Sequence, residues 1–414
     1  MKRVLILCDM FPPAFGPRMG YLAKYLPENG WEPTVVTEEI PENMFAFLAG
    51  NCPVVAINYY SAKNKIMRKC QWLYTILLHL LFDYKERRMY KVAKRLHQQQ
   101  PFDLILCSSF QSFPLTAARW MAEEYGIPLV VDLRDIIEQY SGEEYIKHKL
   151  PRLFGLDKWI KRHYTRRQLS IRNRALQVAS YVTTISPWHV EQLKHFNPNV
   201  TLIYNGYDPE LFYPVVQPTP HFTITYTGRL LSAAMRDPSL LFEALARLSS
   251  DGILQPTDCR VVWYVDEQSQ RMIKELAAPY QIDPFMHYKG YVAASEIPAI
   301  LNRSSLLLIL TNRASQEGPK GVMTTKFFES LAVEKPLLCV RSDESYLAAA
   351  IHATQAGVAA STVEEVTDFL VYHYYQWKEW GYTFSRVNRE ALSLYSRREQ
   401  ARQFATIFHS LSER

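Results

Sequence analysis

The segment that begins at Thr324 places a lysine and a glutamate at the start of a helical pattern. Thr324 and Thr325 precede Lys326, and Glu329 follows three residues later on the same face of the expected helix. A glycine-containing stretch just before them, residues 317–321, would let backbone approach a ligand closely. Lys326 could then reach a diphosphate while Glu329 accepts hydrogen bonds from ribose hydroxyls. An ion pair within the helix is the competing interpretation.

A glycine and an arginine follow two of the apolar runs in the sequence. Gly16 and Arg18 follow the first run and lead into a helix, whose free N–H groups and positive dipole favour phosphate. A plain strand-to-helix turn is the alternative there. Gly228 and Arg229 end a later run, and Asn205 opens an Asn-Gly turn between the two halves of the chain, a weak signal by itself.

Asp132, Arg134 and Asp135 cluster at the end of a buried apolar run. Charged groups in such a place are costly unless they are paired or functional. We therefore expect either a functional carboxylate at this sheet edge or a structural pair between Arg134 and one of the aspartates.

Short apolar runs alternate with helical patterns along the whole chain, which predicts α/β architecture with parallel sheets and crossover helices. The predicted strands are residues 4–8, 34–37, 104–107, 129–132, 181–185 and 201–204 in the first half, and 222–227, 260–265, 286–288, 306–310 and 336–340 in the second. Three prolines within residues 214–220 predict a stiff linker. Two doubly wound sheets would thus face a cleft lined by the carboxyl ends of their strands, where ligands of such sheets bind.

Composition and charge narrow the class of protein. The 414 residues are 48% hydrophobic and 21% charged, which excludes a disordered or fibrous chain. Six scattered cysteines without CxxC spacing predict reduced thiols of a cytoplasmic protein. Asp9 ends the first apolar run too early for a signal peptide, and the apolar run at residues 72–82 is too short to span a bilayer.

Basic residues concentrate in two stretches of the first half. Residues 63–95 and 147–174 each contain ten Lys or Arg, against two acids and one acid respectively. The apolar-aromatic run at residues 72–82 lies inside the first stretch. We expect this half to dock on an anionic membrane surface. The alternative is that the run packs into the core and that the basic residues form a solvated face.

Several of these segments, taken in order, resemble glycosyltransferase family 4 and its GT-B relatives, in particular the bacterial surface-polysaccharide branch. The resemblance rests on Pro12-Pro13 with Gly16 and Arg18, on the acidic strand end at residues 131–135, on the helix start at residues 184–186 and on the hinge at residues 203–212. In the second half it rests on residues 226–228, 289–291 and 326–336. One departure is Gly321, which stands where many members carry the first of two glutamates.

The resemblance implies a GT-B fold of two Rossmann-like domains. The expected boundaries are residues 1–212 for an acceptor-binding domain, 213–220 for the linker, 221–385 for a donor-binding domain and 386–414 for a C-terminal helix that returns to the first domain. It implies a metal-independent, retaining glycosyltransferase of polysaccharide or glycolipid biosynthesis, without a cofactor. A UDP- or GDP-sugar would be the donor and a carbohydrate or lipid-linked molecule the acceptor. Nucleic acid is not an expected partner, and the expected location is the cytoplasm or the inner face of its membrane.

The resemblance also suggests residue roles. Asp135 is the expected catalytic residue, and Arg18 and Arg134 are the expected acceptor contacts. The expected donor contacts are Gly16, Asn205, Gly228, Arg229, Thr324, Thr325, Lys326 and Glu329. A GT-B epimerase that acts on free nucleotide sugar and a non-catalytic binding protein are the alternatives, and a panel of nucleotide sugars with and without acceptor would separate them.

Overall fold

The structure is a computed structural model that describes residues 1–62, 64–140, 156–233, 235–311, 321, 323–341 and 345–413. Two compact units divide the chain: residues 1–204 with 400–414, and residues 205–399.

The first unit contains a fully parallel seven-stranded sheet in the order β3-β2-β1-β4-β5-β6-β7. Its strands are β1 (Lys2–Cys8), β2 (Trp31–Glu38), β3 (Val54–Ile57), β4 (Leu104–Ser109), β5 (Leu129–Leu133), β6 (Tyr181–Thr184) and β7 (Val200–Leu202). Its helices are α1 (Pro17–Tyr25), α2 (Lys65–Phe82), α3 (Tyr84–Gln99), α4 (Leu115–Tyr125), α5 (Leu156–Val178) and α6 (Pro187–Leu193). The central strands are buried on both faces, which is why they read as continuous apolar runs.

The second unit contains a parallel six-stranded sheet in the order β10-β9-β8-β11-β12-β13. Its strands are β8 (Phe222–Thr227), β9 (Cys259–Tyr264), β10 (Met286–Tyr288), β11 (Leu306–Leu310), β12 (Leu337–Val340) and β13 (Gly357–Ala360). Its helices are α7 (Ser239–Ser250), α8 (Glu267–Ala277), α9 (Ile297–Asn302), α10 (Thr325–Ala332), α11 (Ser345–Thr354), α12 (Val363–Trp380) and α13 (Arg389–Ser393).

The last helix, α14 (Arg397–Ser412), packs into the core of the first unit through Phe404 and Phe408. The ring of Phe408 lies edge-on to Trp31 with centroids 5.3 Å apart. None of the described helices is long and apolar enough to cross a membrane.

The unit boundaries differ from the predicted ones at residues 212 and 385. Backbone hydrogen bonds join Tyr207 to Tyr395 and Arg397, so both segments belong to the second unit. The proline-rich linker is also held there, because the backbone N–H of Val215 donates to Asn302 and that of Thr219 donates to the carbonyl of Gly381.

Candidate functional site

The strand order of the second sheet reverses between β8 and β11, since the chain continues from β8 to β9 on one side and places β11 on the other. Ligands of open parallel sheets bind at the carboxyl ends of strands at such a reversal. Gly228 directly follows β8 at this point, and the long connection after β11 leads into α10.

Gly228 and Lys326 are in direct contact although 98 positions separate them in the chain. Gly228 has a φ of +112°, a conformation that favours glycine, and a Cβ placed there would lie 2.7 Å from Cε of Lys326. The Lys326 ammonium also lies 5.6 Å from the ring centroid of Tyr226. The end of β8 and the first turn of α10 therefore form one surface.

The N-terminus of α10 is available to an anion at this surface. Thr324 is the N-cap, but its side chain makes no capping hydrogen bond. Thr324 and Thr325 are half-buried, and no acidic residue occupies the first turn. Backbone N–H groups and the positive end of the helix dipole thus combine with Lys326.

Glu329 lies one turn further along α10 and is half-buried. Among the described residues, none makes a hydrogen bond with its carboxylate; the charges that act on it are Lys326 and Arg397. Burial raises the pKa of Glu329 to about 7 and lowers the pKa of Lys326 to about 7, with the charge of Arg236 adding to the second effect. A carboxylate without a partner in this position is suited to accept hydrogen bonds from ligand hydroxyls.

Arg229 and Arg236 add positive charge near the end of β8. Arg229 is 61% exposed, and its Nε lies 3.2 Å from Oδ2 of Asp266. Arg236 donates to the carbonyl of Arg229 and lies 3.4 Å from the hydroxyl of Tyr226.

No sequence pattern singles out Arg397, which the fold brings to this site from the end of the chain. Its guanidinium acts on the Glu329 carboxylate and lies 3.4 Å from Oδ1 of Asn205. Asn205, predicted as a donor contact, is therefore linked to Glu329 through Arg397.

The first sheet also reverses its strand order, between β1 and β4. Asp9 follows β1 and forms a 2.8 Å ion pair with Arg134, which follows β5, so the pair bridges the end of β4. Arg134 therefore has the structural pairing that was the alternative to an acceptor contact, although with Asp9, and it stays partly exposed.

Asp135 is half-buried at the same sheet edge and accepts a 3.0 Å hydrogen bond from Nε2 of Gln139. Burial raises the pKa of its carboxyl group. Oε1 of Gln139 lies 2.7 Å from Nε2 of His189, so the amide that holds Asp135 is itself fixed by a buried side chain.

Arg18 occupies a structural position. Its guanidinium is 3% exposed and pairs with the fully buried Asp132 at 2.9 Å. It also donates to the carbonyls of Ile203 and Tyr204, each at 2.9 Å. Because Nε and both terminal nitrogens of the guanidinium make these bonds, few N–H groups of Arg18 are left for the acceptor contact that the sequence suggested.

Gly16 is required by packing. A Cβ at this position would lie 2.7 Å from the carbonyl oxygen of Met10 and 2.9 Å from Cα of Phe11. The glycine therefore lets the loop fold back before α1, and no described contact assigns it to a donor.

A cavity of about 430 Å³ lies beside the carboxyl end of β2 in the first unit. Its lining includes Glu38, Glu39, Tyr60, Arg68, Lys69 and Trp72. Carboxylates, cations and aromatic rings thus face one space.

Some residues of the predicted donor loop and of the basic stretches are not among those that the structure describes. Residues 317–320 of the glycine-containing stretch and the basic residues at positions 63, 147, 149 and 152 lie outside the described residues. Gly321 is described, and its φ of 67° favours a glycine over the glutamate that many family members carry at this position. Among the described residues, no three His, Cys, Asp or Glu side chains are grouped to hold a metal ion.

A family model described as Glycosyltransferase Family 4 matches residues 18–211 of this chain. The chain carries a Glycosyltransferase Family 4 domain. The matched residues of this glycosyltransferase domain lie in the first unit and in the hinge at residues 203–211. No curated protein has a significant sequence match to the chain.

The fold of this glycosyltransferase resembles that of solved structures over nearly its whole length. Sucrose-phosphate synthase from Thermosynechococcus elongatus has a TM-score of 0.65 at 13% identity, with 99% of each chain covered. HepE from Anabaena, in complex with UDP and glucose, has a TM-score of 0.63 at 15% identity, with 99% of this chain and 100% of HepE covered. A glycosyltransferase from Rickettsia africae has a TM-score of 0.62 at 13% identity, with 99% and 98% covered. The predicted GT-B fold and glycosyltransferase class are confirmed.

Proposed function

We propose that this glycosyltransferase transfers a sugar from a nucleoside-diphosphate sugar to a carbohydrate or lipid-linked acceptor. One observation carries the proposal: the Gly228 turn, the N-terminus of α10 and Lys326 meet at the strand-order reversal, with the Glu329 carboxylate one turn away. The first three suit a diphosphate and the last suits ribose hydroxyls. The GT-B fold shared with HepE, whose crystals contain UDP-glucose in one case, agrees with a UDP-sugar donor.

In this proposal the second unit binds the donor and the first unit binds the acceptor. Asp135 acts at the acceptor side, where its carboxylate orients the acceptor or stabilises positive charge that develops on the sugar ring. The cavity beside β2 offers Tyr60 and Trp72 as flat apolar surfaces for the acceptor. Retention of anomeric configuration, metal independence and a role in polysaccharide or glycolipid synthesis belong to the same proposal.

The donor site is tested by titration calorimetry with UDP- and GDP-sugars, with and without an acceptor. Glu329→Ala should weaken nucleotide binding by about 1–3 kcal/mol, because a charge-assisted hydrogen bond is lost. Glu275→Ala, which removes an exposed glutamate in α8 of the same unit, is the matched control and should bind normally. Equal affinity in the two variants would remove Glu329 from the donor site.

Product analysis tests the reaction itself. Release of free sugar or of an epimerised nucleotide sugar, unaffected by acceptor, would favour an epimerase or hydrolase instead. NMR of the first-formed anomer tests retention.

A further inference from the structure

The outward side of α2 is apolar from its first turn to its last. Thr75 is its one buried residue among the eighteen, and eight of its large apolar side chains are 40% to 75% exposed, whereas Trp72, Ile76 and Leu78 are half-buried. These exposed residues are Ile66, Met67, Leu73, Tyr74, Leu77, Leu80, Leu81 and Phe82. Most of them recur at helical spacing, so they form a continuous stripe. We call the residues Ile66, Leu73, Leu77, Leu80 and Leu81 the outer stripe.

The side of α2 that faces the protein contains the polar residues Gln71, Thr75 and His79 beside the half-buried Trp72, Ile76 and Leu78. Thr75 is 3% exposed, and Gln71 accepts a hydrogen bond from the backbone of Ala62 and donates to Ser61. His79 is half-buried, and burial lowers its pKa to about 4. A helix on a water-exposed surface normally turns its large apolar side chains toward the protein and its polar side chains toward the water. The outer stripe is therefore a surface that needs a cover.

Trp72 does not belong to the outer stripe. It is half-buried and lines the cavity beside β2. Only part of the apolar run at residues 72–82 therefore faces outward, and the outer stripe begins before that run, at Ile66.

Positive charge surrounds the outer stripe. Lys65, Arg68 and Lys69 are exposed on the first turns of α2 itself. The C-terminal end of α2 is joined to α5, because Arg167 lies 2.7 Å from Asp83 and 3.5 Å from the carbonyl of His79. The first turns of α5 contribute further exposed residues: Lys158, Trp159, Arg162 and Arg166.

The outer stripe and the basic residues around it together indicate what covers this surface. Two copies of this chain joined through α2 would bring their basic residues together, and like charges repel. An anionic bilayer instead supplies opposite charge at the headgroups and an apolar phase below them.

We propose that α2 lies flat in the interface of an anionic membrane, with the outer stripe in the acyl boundary and Lys65, Arg68 and Lys69 at the lipid phosphates. The role of this contact, presentation of a lipid-linked acceptor, rests on the proposed function. The contact itself can be measured without any reaction.

Vesicle co-sedimentation of the full chain tests the proposal, with phosphatidylcholine alone and with phosphatidylcholine mixed with phosphatidylglycerol. The wild type should bind the mixed vesicles, and salt should weaken binding. Leu73→Glu with Leu77→Glu should lower the partition coefficient about tenfold or more, because two apolar side chains leave the acyl boundary. Arg68→Glu with Lys69→Glu should lower it to a similar degree.

The matched control replaces exposed apolar residues elsewhere, Val216→Glu and Leu394→Glu, which are 72% and 56% exposed. This variant should bind vesicles like the wild type. Arg167 and Arg172 are left unchanged, because they form ion pairs with Asp83 and Glu138.

Three results would overturn the proposal. They are an absence of wild-type binding to anionic vesicles, unchanged binding by the Leu73/Leu77 variant, and loss of a dimer or of thermal stability in that variant, which would mean that protein covers the stripe. Nucleotide affinity of the same variant, measured in solution, should stay at the wild-type value. A failure of membrane binding is thereby distinguished from a failure of the donor site.

Discussion

Glu329 and Lys326 carry opposite charges, yet burial brings the pKa values of both to about 7. Neither charged group is fully solvated, and a bound diphosphate and ribose would supply hydrogen-bond partners in place of the missing water. The charges that face the two groups from other elements are Arg236 and Arg397. If the donor binds here as proposed, its affinity should therefore change with pH near neutrality, which calorimetry at several pH values would measure.

Glu329 should make the free protein less stable as pH rises. Its folded-state pKa is raised from 4.5 to about 7, so its stabilising contribution is full below pH 4.5 and is lost as pH rises through 7. Glu329→Gln should therefore gain up to about 3 kcal/mol relative to the wild type across this interval. The pKa of Lys326 is lowered from 10.5 to about 7 in the folded state, so its own contribution changes from about pH 7 upward, and the two proteins are compared below that pH. Urea denaturation at several pH values measures the difference, and parallel curves for the two proteins would contradict it.

Gly228→Ala should lower the free energy of unfolding by more than backbone strain alone would, and it should also weaken nucleotide binding. Its positive φ alone costs an alanine about 1–2 kcal/mol, and the new methyl group would displace Lys326. Gly252→Ala is the matched control, because Gly252 has a φ of +70° and no atom within 4 Å of its added Cβ. Both variants should lose stability, but only the first should lose nucleotide affinity by calorimetry. Equal affinities would show that Lys326 does not depend on Gly228.

Asp135→Asn should lower turnover about a hundredfold while nucleotide affinity stays unchanged, if its charge acts in the transition state. The comparison variant is Glu138→Gln, in which a nearby carboxylate loses its 2.6 Å ion pair with the buried Arg172. That variant should lose stability and keep its turnover. Wild-type turnover in Asp135→Asn would assign Asp135 a structural role.

Elements of the first unit are joined by one buried charge. Asp132 on β5 accepts hydrogen bonds from Ser108 on β4 and Thr183 on β6, besides its ion pair with Arg18 on α1. Four elements thus share a single carboxylate that is 0% exposed.

Arg18→Met should therefore destabilise the protein by about 3–5 kcal/mol, since it leaves Asp132 buried without its counter-charge. Adding Asp132→Asn should restore part of the loss, because the uncompensated charge is removed. Denaturant unfolding measures both variants. A loss below about 1 kcal/mol, within the usual effect of a surface substitution, would return Arg18 to the role of an acceptor contact.

Strand elements could be predicted to different degrees. The buried strands β1, β4 and β11 are unmistakable apolar runs, and their predicted positions agree with the structure. The strands β3 and β13 were not predicted; only one residue in each is buried, so neither has the fully buried pattern of the central strands. The basic stretch at residues 63–95 contains α2 and most of α3, two helices that meet at Asp83 with a φ of +51°.

At the scale of the whole molecule, two units divide the expected work of donor and acceptor binding. Metal independence follows if the positive charge at the leaving diphosphate comes from Lys326, Arg229 and the N-terminus of α10.

Transfer should accordingly continue in excess EDTA and gain nothing from added Mg²⁺. Lys326→Met should lose activity in both conditions, since no metal replaces the missing charge. Product formation by the wild type and this variant, with and without EDTA, is the measurement. Abolition by EDTA and recovery with Mg²⁺ would show that a metal ion takes part.

The fold class follows from the sequence, because apolar runs report burial. The sequence also indicates the proposed donor site, since Gly228 follows a predicted strand and Lys326 and Glu329 share one face of a predicted helix. Tertiary structure decided which charges are paired. Arg18 and Asp132 are 114 positions apart, and Arg397 reaches Glu329 only because the chain returns at its end. It also decided which side of α2 faces outward. Helical periodicity defines an apolar side but does not orient it, since the orientation depends on what the rest of the unit presents to the helix, such as the Ala62 backbone and the Ser61 side chain that bond to Gln71.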